Sequence, residues 1–149
     1  MKSQEMERLE ETTVVATESA VQRLHQSAAM GMKATEEEWE ALRAAMAAEQ
    51  PEFVAWLQTI RGELSERNRN LCLLVRLGFE PYEMINLLGV SATNLCNIRR
   101  RLLKRLFGIE GTTKAFDKRI RDLASISPSE YPQNPPRGKP RESSPYRGR

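Results

Sequence analysis

Two cysteines, one histidine and 6% aromatic residues in a chain of 149 leave few of the side chains that metal and catalytic sites need. Cys72 and Cys96 are not in CxxC spacing and His25 has no second histidine to join it, so a zinc site lacks its ligand set. The two thiols are expected to pack as small apolar side chains. No stretch approaches the roughly 18 consecutive apolar residues of a membrane span, and the first 25 residues carry no signal-peptide core. These absences predict a cytoplasmic protein without membrane contact. A glycine-rich phosphate loop, HExxH and GxSxG are missing as well, and no histidine neighbours a candidate nucleophile. With its carboxylates gathered at helix starts, the chain cannot assemble a nucleophile, a base and oxyanion donors. Neither catalysis nor a cofactor is expected.

What the chain does have is charge, unevenly placed. Residues 1–63 hold six Lys/Arg against twelve Asp/Glu, and residues 64–90 balance at three of each. Residues 91–123 hold nine Lys/Arg against three Asp/Glu, and residues 124–149 hold five against two. A basic segment set apart from an acidic one is the electrostatic footprint of a polyanion binder, although basic runs often serve only to solvate a helix face. A chain of this length has room for one small core.

Hydrophobic spacing predicts helices throughout. Residues 1–34 read as an N-terminal helix in which Met6, Leu9, Thr13, Ala16 and Ala20 form a short heptad. With Thr and Ala on its seam, that helix either pairs weakly with a second chain or orders on a partner. His25 follows it as a surface or packed side chain. Residues 35–63 read as a supporting helical pair. Thr35 and Glu38 form a capping box ahead of Trp39, Leu42 and Met46; Pro51 then opens a second helix with Phe53, Val54, Leu57 and Ile60 on one side and Trp56 flanking it.

Residues 64–124 carry the densest signals. Ser65 caps a helix with Leu71, Leu74, Val75 and Leu77 inward, and Gly78 ends it. Pro81 opens the next, with Met84, Ile85, Leu87 and Leu88 on its apolar side; Gly89, Val90 and Ser91 then make a tight turn into a basic helix. That connection length fits a helix-turn-helix. At roughly 100° per residue, Leu95, Ile98, Leu102 and Leu106 of the helix 92–106 share a narrow stripe. Thr93, Asn97, Arg100 and Lys104 fall opposite, with Asn94, Cys96 and Arg101 on the flanks. A helix entering the major groove by its N-terminal half would bring Thr93, Asn94 and Asn97 to base edges, while Arg99, Arg100, Arg101, Lys104 and Arg105 meet bases or phosphates. An Asn amide pairs with adenine, and an Arg fork grips guanine or a phosphate. Lys114 to Leu123 reads as a last helix with Phe116 and Ile120 inward. Residues 125–149 hold Pro128, Pro132, Pro135, Pro136, Pro140 and Pro145 among Ser, Gly, Arg and Lys, and predict a disordered basic tail, either solubilising or weakly drawn to phosphate.

The span LSERNRNLCLLVRLGFEPYEMINLLGVSATNLCNIRRRLLKRLFG, residues 64–108, resembles the LuxR-type helix-turn-helix and the promoter-reading fourth region of sigma factors. It is more similar still to C-terminal regulator domains found in Bacteroidetes, in which a phrase like RRRLLKRLFG precedes a segment like IEGTTKAFDKRI. The resemblance extends upstream through ATEEEWEALR and VQRLHQSA to about residue 18. It implies an all-α, tetrahelical LuxR-like domain that regulates transcription on double-stranded DNA, commonly as a homodimer, with the helix after Ser91 as reader. The chain departs from the pattern at Asn68, at Glu80, where Ser or Thr usually caps the helix, and at Ile85, where Ala usually lets two helices approach. A larger side chain at such a place costs roughly 1–3 kcal/mol unless the helices shift. The other reading is a helical interaction module that contacts RNA polymerase or an upstream sensor protein through the acidic N-terminal half.

Overall fold

The computed structural model describes the backbone of residues 2–60, 64–123 and 128–132, and most side chains of these from residue 16 on. The described residues form seven α-helices and no strand: α1 Lys2–Ala29, α2 Glu36–Glu49, α3 Pro51–Thr59, α4 Glu66–Arg76, α5 Pro81–Leu88, α6 Ala92–Phe107 and α7 Thr113–Asp122. The protein is all-α, as its spacing predicts.

Local chemistry sets the helix ends. Thr35 Oγ1 accepts from the Glu38 N–H at 3.1 Å while Glu38 Oε1 accepts from the Thr35 N–H at 2.9 Å, which completes the expected capping box of α2. Partial burial works against ionisation of Glu38, but the Thr35 N–H, the Ser27 hydroxyl and Arg23 together hold its carboxyl below the usual value. Gln50 ends α2 and Pro51 opens α3 at once, because proline's missing N–H is not needed in a first turn. Ser65 Oγ accepts from the Asn68 N–H at 3.1 Å to cap α4. Glu80, expected to start α5 poorly, is compensated: its N–H donates to Glu83 Oε1 at 2.9 Å.

One core joins all seven helices. Leu24 and Ala28 of α1, Leu42 and Met46 of α2, Phe53 and Leu57 of α3 and Leu71 and Leu74 of α4 belong to the same buried cluster as Leu87, Leu95, Leu102 and Phe116. The segments 1–34, 35–63 and 64–124 thus each contribute side chains to one buried cluster. Helix α1 lies against both α2 and α5, and α4 against α2, α5 and α7. Polar side chains stitch the same seams. Arg76 of α4 donates to Gln50 Oε1 at 2.8 Å and to the Ile120 carbonyl at 3.0 Å, with its guanidinium 4.4 Å from the Phe53 ring centre. Arg43 of α2 reaches Asn70 of α4 and pairs with Glu36 and Glu66.

The heptad of α1 is only partly described, since the side chains of Met6, Leu9 and Thr13 lie outside the described residues. Of its other positions, Ala20 is buried in the protein's own core and Ala16 is exposed. Thr17, Ala20, Leu24 and Ala28 form the buried stripe of this helix, so the end of α1 is braced within the chain. The expected disorder from residue 125 also needs correction. Pro128–Glu130 form a 3₁₀ turn and Tyr131 is buried at 9% exposure, because Trp56 offers both a ring and an N–H that must find a partner. Residues 133–149 lie outside the described residues.

Candidate nucleic-acid interface

Helices α5 and α6 meet through the three-residue turn, and Gly89 makes it tight. Its φ of 69° and ψ of 38° place it in the left-handed region, where a Cβ would strain the backbone. The Gly89 N–H reaches the Ile85 carbonyl at 3.0 Å and the Val90 N–H reaches the same carbonyl at 3.2 Å, closing α5. Ser91 Oγ then accepts from the Asn94 N–H at 3.0 Å and starts α6. Ile85 is half-buried beneath this corner and packs against the core.

The first helix of the pair is fastened from behind. His25 of α1 stacks on Phe79, 4.1 Å between ring centres, and its Nδ1 bonds the buried carboxylate of Glu83. Asn86 Nδ2 donates to the Ala28 carbonyl at 3.0 Å, and the Ala34 N–H donates to the Leu87 carbonyl at 3.1 Å. The end of α1 and the loop after it thus hold α5. That loop also lays Lys33 across the turn, close enough that a Cβ on Gly89 would meet its Cε at 2.8 Å. Lys33 is a cation at the corner that spacing within residues 64–124 could not reveal, because it arrives from another part of the chain.

Helix α6 buries Leu95, Ile98, Leu102 and Leu106 as its periodicity requires, and Leu103 with them. Thr93, Asn94, Asn97, Arg100, Arg101, Lys104 and Arg105 are exposed. One expected contact residue is not on that surface. Arg99 is 5% exposed and its Nη1 donates to Asp117 Oδ2 of α7 at 2.8 Å. It sits four positions past Leu95, roughly 40° from it around the helix, and hence at the edge of the apolar stripe, where α7 covers it. Arg99 fastens α6 to α7 and is withdrawn from the candidate interface.

The exposed cations differ in their neighbours. Among the described residues neither Arg100 nor Arg101 is ion-paired. Lys104 Nζ stands 2.9 Å from Glu110 Oε2 with both side chains mostly exposed, so a phosphate meets a weak competitor there, worth about 0–1 kcal/mol. Cys96 is half-buried on the flank of α6, whereas Cys72 is fully enclosed in α4 and burial pushes its thiol up to about 12. No group of His, Cys, Asp and Glu among the described residues could hold a metal ion, and no helix among them is long and apolar enough to cross a membrane.

Fold and surface together define a small all-helical protein with a basic helix displayed beside a glycine turn. No protein-family model, no curated protein and no solved structure matches the chain. Residue chemistry and geometry alone bear on what this surface binds.

Proposed function

We propose that this protein is a sequence-specific, double-stranded-DNA-binding transcriptional regulator, cytoplasmic and without enzymatic activity, with α6 as its major-groove reader. The observation that carries the reading is the outward face of α6. Thr93, Asn94 and Asn97 lead it and Arg100, Arg101, Lys104 and Arg105 follow, on a helix whose other side is locked into the core. Hydrogen-bonding amides and hydroxyls at the entering end suit base edges, and the cations behind them suit phosphates. A single small reader gives limited specificity, so a homodimer on two half-sites is part of the proposal.

Selection of random duplexes by the purified chain should enrich one motif. Arg100→Ala combined with Lys104→Ala should then weaken binding to it and lower the slope of log affinity against log salt by about one for each phosphate no longer neutralised. An unchanged slope removes that face from the interface. If selection enriches nothing even at low salt, the interaction-module reading is favoured, with RNA polymerase or a sensor protein as partner.

A further inference from the structure

The turn that leads into α6 carries a cation from outside the helical pair, and the fold holds it there. Lys33 lies in the loop between α1 and α2, where the backbone is pinned on both sides of it. The Met32 N–H donates to the Ser27 carbonyl at 2.9 Å and the Ala34 N–H to the Leu87 carbonyl at 3.1 Å. From that loop the Lys33 stem runs along Gly89. Its Cγ, Cδ and Cε stand 3.3, 2.9 and 2.8 Å from the point where a Cβ on the glycine would be, so the missing side chain is what leaves the stem room. The ammonium is one C–N bond of about 1.5 Å further on, within about 4.3 Å of the same point. Ser91, the cap of α6, follows Gly89 by two residues, at most about 7.6 Å between Cα atoms. Lys33 is exposed and, among the described residues, has no carboxylate partner. Of the acidic run that follows it, Glu36 is paired with Arg43 and Glu38 is taken up by the Thr35 cap and the Ser27 hydroxyl, which leaves Glu37 as the one without a described partner.

We propose that Lys33 is part of the DNA interface, a phosphate contact at the entering end of α6. The proposal rests on the DNA-binding function proposed above. Its motive is charge complementarity. Residues 92–98, the leading half of the reader, contain no charged side chain, and the cations of α6 begin only at Arg99. Lys33 supplies at that end what the helix lacks. An α-helix with its side chains is about 10–12 Å across and the major groove about 12 Å wide, so α6 fills the groove. A group standing just beside its leading end therefore meets the sugar-phosphate wall. The compact ammonium of lysine suits a phosphate as a point charge and reads no base. Contacts of this kind set the position of a protein on the duplex. With Lys33 before the reader and Arg100, Arg101 and Lys104 in its second half, α6 is held at both ends. The loop that carries Lys33 hangs from α1, which makes the packing of α1 part of DNA binding.

Lys33→Met keeps the stem beside Gly89 and removes the charge. On the duplex enriched by the full chain it should lower the slope of log affinity against log salt by about 0.9, which at about 0.1 M salt corresponds to roughly eightfold weaker binding. The ranking of related duplexes and the melting temperature should stay as in the parent, because Lys33 reads no base and its ammonium has no described partner in the protein. Replacing the phosphates of that duplex one at a time by neutral methylphosphonates then locates the contact. At one or two positions the parent should lose affinity while Lys33→Met loses no more. An unchanged salt slope for Lys33→Met overturns the contact and leaves the DNA-binding function standing. So does a variant weaker than the parent by one and the same factor on every methylphosphonate duplex, since its charge then acts only through the general field of the protein. If the parent chain enriches no duplex at all, the proposed function itself has failed, and the Lys33 contact fails with it.

Discussion

Arg99 and Arg100 are neighbours in a run of three arginines, and the fold gives them unrelated tasks. Arg100 is exposed, whereas Arg99 is enclosed between α6 and α7 with Asp117. That pair is imperfectly satisfied: Arg99 Nε and Asp117 Oδ1 are buried without a hydrogen-bond partner. A buried pair of this kind is worth little against apolar side chains of similar size, but removing one member strands the other. Urea unfolding of Asp117→Ala should show a destabilisation of about 3–5 kcal/mol. Arg99→Met with Asp117→Leu should stay near the parent stability or exceed it, and Arg100→Ala should change it by no more than about 0.5 kcal/mol. Equal costs for Arg99→Ala and Arg100→Ala would contradict the burial assigned to Arg99.

Among the helices and turns, the corner between α5 and α6 depends on one backbone conformation. Gly89→Ala puts a methyl group at a positive φ, a cost of about 1–2 kcal/mol, and displaces the end of Lys33, which is flexible and moves cheaply. The expected result is a melting temperature lower by several degrees and weaker duplex binding than that stability change explains, because the turn aims α6. If the variant melts as the parent does, Gly89 is not held in the left-handed region. Glu80 illustrates the opposite case, a residue unlike the usual Ser or Thr cap whose helix start is nonetheless sound. Glu83 supplies the missing bond to the Glu80 N–H and is itself held by His25 of α1.

Across the molecule, α1 and α2 share one buried core with α4 to α7. Leu24 and Leu42 are fully buried in the cluster that also encloses Leu71 and Leu87, and the back of α5 is closed by α1. A fragment of residues 64–124 should therefore melt broadly by far-UV circular dichroism, while the full chain unfolds in one cooperative step. A sharp transition in the fragment would restore the boundary at residue 64 that composition suggests. The docking of Tyr131 belongs to the same level of organisation, since Trp56 joins α3 to the end of α6 and to the chain after α7.

The seven helices, the caps at Thr35, Ser65 and Ser91, the glycine turn and the apolar stripe of α6 were all legible in the order of the residues. Each follows from side chains within a turn or two of one another. Arg99, four residues past Leu95, is the one arginine of the run at 99–101 that periodicity sets beside the stripe, but its cover by α7, where α1 and Lys33 come to rest, and the docking of Tyr131 were not legible there. Each of those outcomes depends on an element distant in the chain: α7 for Arg99, α5 for α1, the Gly89 turn for Lys33 and Trp56 for Tyr131. Helical periodicity fixes which way a side chain leaves its own helix, but what covers that side chain is settled by the packing of the others.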